Sequence, residues 1–256
     1  MSTLAIQNLS VTFEENTLNE KKVLKGVDFI VENDDFICIL GGNGSGKSTL
    51  LRAILGLVPY QGHITLNGKP LDKQKPYQRA RRIGVVYQDP LMGTSPNLTV
   101  AENLLLSSRA KTFLNRKANR AFLERAKQEL SEYQLGIENQ LNTPCGSLSG
   151  GMRQVLTLYM ATTFDAELLL LDEHTAALDP RTADKVMDIT ERLLVKAKRI
   201  PTLMVTHNLD FALQYGNRLV VLNDGKIVLD VRDEEKAKLD RHSLFEYYGL
   251  MFSNKD

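Results

Sequence analysis

The sequence predicts an α/β domain built on a mostly parallel sheet, and three observations carry that prediction. Near-continuous apolar runs recur at 36–40 (FICIL), 83–86 (IGVV), 168–171 (LLLL), 202–205 (TLMV) and 219–222 (LVVL). Runs apolar on both faces suit strands covered on both sides, as in a parallel sheet flanked by helices. Helical periodicity occupies 47–57, about 99–109, 116–134, 150–164 and 181–198. A glycine-rich turn, GGNGSGKST at 41–49, joins the first of these strands to the first of these helices.

Taken from the N-terminus, residues 4–11 (LAIQNLSV), 23–31 (VLKGVDFIV) and 63–66 (HITL) read as strands. They are short, rich in branched residues and separated by Asn, Gly or charged turns. From about 91 to 164 the periodicity is helical and no strand pattern appears, so this interval reads as a helical insertion in the α/β core. LLLL resumes the core. Pro180 sits where a helix N-terminus accepts proline and introduces the helix at 181–198. The tail, about 231–256, carries LFEYYGLMF, which could dock on the core or on a partner. It is too short for a domain of its own.

Composition narrows the class. At 256 residues the chain can bury a sizeable core as one large domain or two small ones. With 43% hydrophobic and 25% charged residues, disorder is excluded as the dominant state. Lys and Arg number 32 against 31 Asp and Glu, so no nucleic-acid partner is expected. Two cysteines, Cys38 in an apolar run and Cys145 in a loop-like stretch, make no disulfide scaffold and read as reduced thiols. No apolar run reaches the roughly 18 residues of a membrane span, and MSTLAIQNLS lacks a signal-peptide pattern. The sequon Asn97-Leu98-Thr99 therefore carries no expectation of glycosylation.

Residues 41–49 match G-x-x-x-x-G-K-[ST], with Gly41, Gly46, Lys47 and Ser48 at the fixed positions. Glycines let backbone N–H groups turn inward into a concave anion nest. The helix that starts at Lys47 adds its positive N-terminal end. The bare pattern arises by chance in roughly one chain of this length in a hundred. The strand before it and the helix after it argue against a mere glycine-rich turn with an exposed lysine. LLLL then runs straight into Asp172-Glu173, placing two carboxylates at the carboxyl edge of the sheet, where open α/β sheets bind ligands. Alone, such a pair reads as a turn or helix-start cluster. With the phosphate loop upstream, Asp172 is expected in the Mg²⁺ shell and Glu173 beside the γ-phosphate, placed to deprotonate a water.

Leu148-Ser149-Gly150-Gly151-Met152, at the head of a helical run, resembles the LSGGQ signature of ATP-binding-cassette (ABC) ATPases. Gln88 after IGVVY resembles the Q-loop glutamine, Ala177-Leu178-Asp179 the D-loop, and His207 in MVTHN the switch histidine. Phe13 stands where family members stack an aromatic on adenine; its alternative is a core aromatic. The likeness spans about 3–230. Two positions depart: Met152 replaces the signature glutamine, with Gln154 fitting the longer pattern, and His174 stands where many members have proline. His174 is read as pointing into its loop, without a catalytic part. His63 reads as a strand-face residue and His242 as a tail residue.

The resemblance implies a P-loop NTPase (RecA-like) core with an N-terminal antiparallel β subdomain and an inserted α-helical subdomain. The implied division is 1–90 with 165–230, the helical part at 91–164, and the tail at 231–256. It implies ATP and Mg²⁺ as cofactors. Gly41, Gly42, Asn43, Gly44, Ser45, Gly46, Lys47, Ser48 and Thr49 would cradle the phosphates, and Ser48, Gln88 and Asp172 would reach the metal. Glu173 would be the general base, and His207 would hold the γ-phosphate and the attacking water. Ser149, Gly150 and Gly151 would complete the site from a partner cassette, identical or not, with Asp179 nearby. The pair would close head to tail on ATP and open on hydrolysis. A separate membrane permease would meet the stretch Asp89–Thr99, with a solute-binding protein behind it, and the ATPase would lie peripherally on the cytoplasmic face. The style of the chain resembles importer cassettes, some of which serve aromatic amino acids such as tryptophan. A soluble assembly-factor ATPase and an exporter ATPase stay open as alternatives.

Overall fold

The structure of the chain, a computed structural model, describes residues 2–108, 116–193 and 199–244. An antiparallel sheet is formed by β1 (Ser2–Phe13), β2 (Lys21–Glu32), β4 (Gln61–Leu66) and β5 (Lys69–Pro70), in the order β2-β1-β4-β5. The second sheet contains β3 (Phe36–Leu40), β6 (Ile83–Val86), β7 (Leu168–Asp172), β8 (Thr202–Val205), β9 (Arg218–Asn223) and β10 (Lys226–Arg232). Its order is β10-β9-β3-β8-β7-β6, parallel throughout except for β10, which runs antiparallel to β9. The five apolar runs of the sequence are its five parallel strands, with bounds within one residue of those read from periodicity. β10 escaped that reading, because it alternates exposed and half-buried residues as an edge strand does.

Alternate residues of the parallel strands face two separate cores. Ile37, Ile39, Leu168, Leu170, Leu203 and Val205 pack towards the antiparallel sheet and α1 (Lys47–Leu55). Cys38, Leu40, Leu169, Leu171, Met204 and Val221 pack on the opposite face, against α5 (Gly150–Ala161), α6 (Pro180–Glu191) and α7 (Leu209–Gln214). Each such side chain, fully buried, contributes about 1.5–3 kcal/mol. α2 (Pro76–Arg79), α3 (Val100–Ser107), α4 (Arg116–Ser131) and α8 (Asp233–Ala237) complete the helices described. Among the described residues of 91–164 no strand of either sheet occurs, only an isolated bridge between Thr99 and Pro144.

Several helices stop short of their periodicity. α1 ends at Leu55 because Gly56 takes a left-handed conformation (φ 72°) and the Leu57 N–H returns to the Arg52 carbonyl. The predicted helix at 181–198 begins at Pro180 and runs to Glu191; residues 194–198 lie outside the described residues. Arg79 is wholly buried and donates to the carbonyls of Ala53, Ile54 and Leu71, closing the end of α1. Both cysteines are free and buried, and burial pushes the Cys38 thiol up to about 12. In the tail, Leu244 is buried in the core, while the rest of LFEYYGLMF lies outside the described residues.

Candidate active site

β3 lies between β8 and β9 and delivers the chain directly into the 41–49 turn. Gly46 precedes α1 at φ 107°, a left-handed conformation that a side chain rarely adopts. At Gly41 the obstacle is space: a Cβ there would lie 2.3 Å from the Leu222 carbonyl oxygen and 2.5 Å from Ser45 Oγ. The loop is thus pressed against β9 and can accept no methyl group at that point. No acidic residue occupies the first turn of α1, so the positive helix end is left uncompensated. The Lys47 ammonium lies back across the loop and donates to the carbonyls of Gly41 (2.7 Å) and Gly42 (3.1 Å). Ser45 Oγ is buried with no protein partner.

A cleft of about 570 Å³ opens over this loop. Asn43 to Thr49 form its floor, Phe13 at the end of β1 forms one wall, and Glu173 reaches in from β7. Phe13 is 36% exposed, so it is a cleft residue and not a core aromatic. Glu14, Asn19 and Lys21 also line the cleft. Sequence reasoning missed them, although their place just after Phe13 was a usable signal.

At the carboxyl edge of β7, Asp172 pairs in register with Val205 of β8. Glu173 turns left-handed (φ 47°) while its N–H donates to the Val205 carbonyl at 3.0 Å. A non-glycine residue in that region stores about 1–2 kcal/mol, held here by the flanking strand. Burial pushes the Asp172 carboxyl up, and the neighbouring Glu173 adds to the rise against the pull of Lys47. Burial lowers the Lys47 ammonium, opposed by Glu173 and Asp172. Two carboxylates face one ammonium, so the edge has room electrostatically for further positive charge. His207, two residues beyond β8, brings Nδ1 within 3.2 Å of Glu173 Oε2.

The remaining predicted residues lie elsewhere in the chain. Gln88 is exposed in a bend after β6, the edge strand next to the β7 that ends in Asp172. It does not line the cleft. Ser149 is the N-cap of α5, with Oγ accepting from the Met152 N–H at 3.3 Å. Gly150 and Gly151 follow in the first turn, and a Cβ on Gly151 would sit 2.4 Å from Thr182 Cγ2, so α5 and α6 approach through the missing side chain. Arg153, not singled out from the sequence, donates to the carbonyls of Cys145, Gly146 and Leu148 and shapes the turn before α5. Gln154 is buried and donates to the Tyr87 carbonyl at 3.2 Å, joining α5 to the segment that carries Gln88. Asp179 caps α6 by accepting from the Thr182 N–H at 3.2 Å, and the Thr182 side chain together with that N–H holds its carboxyl below the usual range.

His174 does not point into its loop. It is buried beneath α6, with Nε2 3.2 Å from Thr190 Oγ1, and burial lowers its pKa to about 4. His174 does not line the cleft over the phosphate loop; it packs against α6 instead.

Among the described residues no three His, Cys, Asp or Glu side chains group as a metal cage. Mg²⁺ does not need one: it takes one or two carboxylates with water and phosphate oxygens. The Ser48 hydroxyl at the cleft floor and the Asp172 carboxylate at the sheet edge are hard oxygen donors of that kind.

Comparison with known proteins agrees with this arrangement. The ABC transporter family model matches residues 24–176, more than half of the chain. A tyrosine transport ATP-binding protein of Clostridioides difficile is 40% identical over 96% of this chain and 98% of its own length. A phosphate import ATP-binding protein of Pyrobaculum aerophilum is 33% identical over 97% of this chain and 98% of its own length. Among solved structures, a dimeric ATP-binding cassette in a post-hydrolysis state with ADP and phosphate superposes with a TM-score of 0.76. It is 26% identical and covers 90% of this chain and 98% of its own. The phosphate loop, the acidic strand end and the near-full-length relatives lead to one conclusion: this chain belongs to the ABC transporter family, as an ATP-binding and ATP-hydrolysing cassette.

Proposed function

We propose that this cassette works as a head-to-tail pair that powers uptake of an aromatic amino acid through a separate membrane permease. The observation that carries the pairing is the separation of two anion-binding elements within one chain. The phosphate loop floors one cleft, while Ser149, Gly150 and Gly151 open α5 outside it. An exposed helix N-terminus with a serine N-cap is suited to an anion, and a second copy turned head to tail would bring its phosphate loop to that end. Among the described residues no helix is long and apolar enough to cross a membrane; in this reading a separate permease carries out translocation, with the cassette docked peripherally on its cytoplasmic face.

In this reading Phe13 stacks on adenine, and Gly41 to Thr49 with Lys47 hold the phosphates. Ser48, Gln88 and Asp172 would hold Mg²⁺, whose positive charge would offset the negative charge of the phosphates. The Glu173 carboxylate takes a proton from water as its oxygen attacks the γ-phosphorus and the bond to the bridging oxygen breaks. His207, already against Glu173, orients that water and the γ-phosphate. Gln88 follows β6, the strand beside the one that ends in Asp172, and the bond from Gln154 to the Tyr87 carbonyl ties that segment to α5. Loss of the γ-phosphate removes the contact shared by the two copies, and the pair opens.

The permease meets a groove of about 470 Å³ between β6 and the helical insertion, edged by Met92, Gly93, Thr94, Ser95 and Leu106. Met92 is 68% exposed and supplies adaptable apolar surface. Support for an aromatic amino acid as cargo comes from the relative named for tyrosine transport, matched end to end. A solute-binding protein delivers that cargo.

Glu173→Gln tests the centre of the reading. ATP binding persists, turnover falls about 10²–10⁴-fold, and gel filtration with ATP gives a dimer. Turnover close to that of the parent would remove Glu173 as the base. Pull-down from detergent-solubilised membranes recovers the permease, and its companion binding protein is then titrated with tyrosine and tryptophan.

A further inference from the structure

The C-terminal segment grips α7 at both ends, and α7 is the helix that follows His207. The buried Lys236 ammonium donates to the carbonyls of Tyr215 and Gly216, at the C-terminal end of α7. Arg241 donates through Nε and Nη2 to both carboxylate oxygens of Asp210, in the first turn of α7. Between these grips, Asp240 Oδ1 accepts from the Ser243 N–H (2.8 Å) and hydroxyl (2.6 Å), forming a turn that places Leu244 in the core. Asn208, the residue after His207, caps α7: its Oδ1 accepts from the N–H groups of Asp210 (2.9 Å) and Phe211 (3.2 Å). A continuous path therefore leads from Arg241 through Asp210 and Asn208 to the imidazole that meets Glu173 at 3.2 Å.

We propose that Arg241 is a positioning residue for His207, acting through the first turn of α7. The inference rests on the role given to His207 above. α7 has only six residues and cannot hold itself in helical form. Phe211 and Ala212 anchor its inner side, but beside its first turn a cleft of about 340 Å³ opens among Glu173, Leu178, His207 and Asp210. That turn borders open space, and on its outer side the Arg241 guanidinium adds to the hold of the Asn208 cap and the buried Phe211. Ion pairs at such exposure are ordinarily weak, because long side chains must be ordered to form them. Here Lys236 and Leu244 fix the backbone on either side of Arg241, and the guanidinium engages both oxygens.

Steady-state ATPase assays on the full chain test the assignment. R241A lowers kcat three- to tenfold, leaves KM for ATP within twofold and barely moves the thermal midpoint. R241K, which keeps a charge opposite Asp210 but not the two-point contact, recovers only part of the loss. In an H207A background, R241A changes nothing further, since both act on one group. Parent kcat in R241A overturns the proposal, as does a kcat loss that merely follows the melting temperature, or full additivity with H207A. H207A at parent turnover removes the histidine's role and the strap with it, whereas a silent R241A beside an inactive H207A removes the strap alone.

Discussion

Gly41→Ala is the sharpest single test of the phosphate-loop geometry. The added methyl carbon would lie 2.3 Å from the Leu222 carbonyl oxygen, where a carbon–oxygen contact settles at about 3.3 Å. Something must therefore shift by about 1 Å. Leu222 cannot yield easily, because β9 is paired with both β3 and β10. Ser45 cannot swing away with its backbone, because its carbonyl accepts from the Gly225 N–H at 3.1 Å. The loop must move, and overpacking of this kind costs about 1–3 kcal/mol. For a chain of this length that lowers the thermal midpoint by about 2–12 °C. A displacement of about 1 Å at a reacting centre costs about 10²-fold in rate, so turnover falls further than stability. Gly42 is the control, since a Cβ there meets nothing within 4 Å and its conformation is ordinary. Differential scanning calorimetry of the two variants, with ATPase assays alongside, decides the matter. If Gly41→Ala melts within a degree of Gly42→Ala, the close approach to β9 is not what requires glycine.

Lys47→Ala abolishes ATP binding measured by calorimetry, because the cation that faces the phosphates is gone; unchanged affinity refutes its role. Arg79→Met strips the donors from the carbonyls of Ala53, Ile54 and Leu71 and lowers urea stability by about 2–4 kcal/mol; an unmoved urea midpoint would discount that buried cap. His174 predicts a pH dependence: unfolded, it takes a proton below about 6.5, but folded only near 4. Its stabilising contribution is whole above pH 6.5 and is lost as pH falls towards 4, on the order of 3 kcal/mol. His174→Gln flattens the melting temperature across that window, and an unaltered slope would show that the imidazole titrates freely.

How much was legible follows from the range of each interaction. The five apolar runs became the five parallel strands because residues apolar at every position can only be satisfied by cover on both faces. The helix predicted to start at Lys47 does so, since a glycine-rich turn and a helix start are built from neighbours in the chain. β10 and α7 were not legible, the first because an edge strand alternates weakly and the second because six residues hold too few periods. Nor did periodicity indicate that His174 would pass beneath α6 to Thr190.

The amino-acid order by itself determined where a glycine-rich turn opens a helix, which carboxylates end a buried strand, and which faces must be covered, because these depend on contacts a few residues long. Only the tertiary structure decided that His207 meets Glu173 across adjacent strands, and that the tail clasps α7. It also decided that Ser149–Gly151 stand away from the phosphate loop of their own chain. Those outcomes depend on strand order and helix packing, which bring together groups that no local pattern relates.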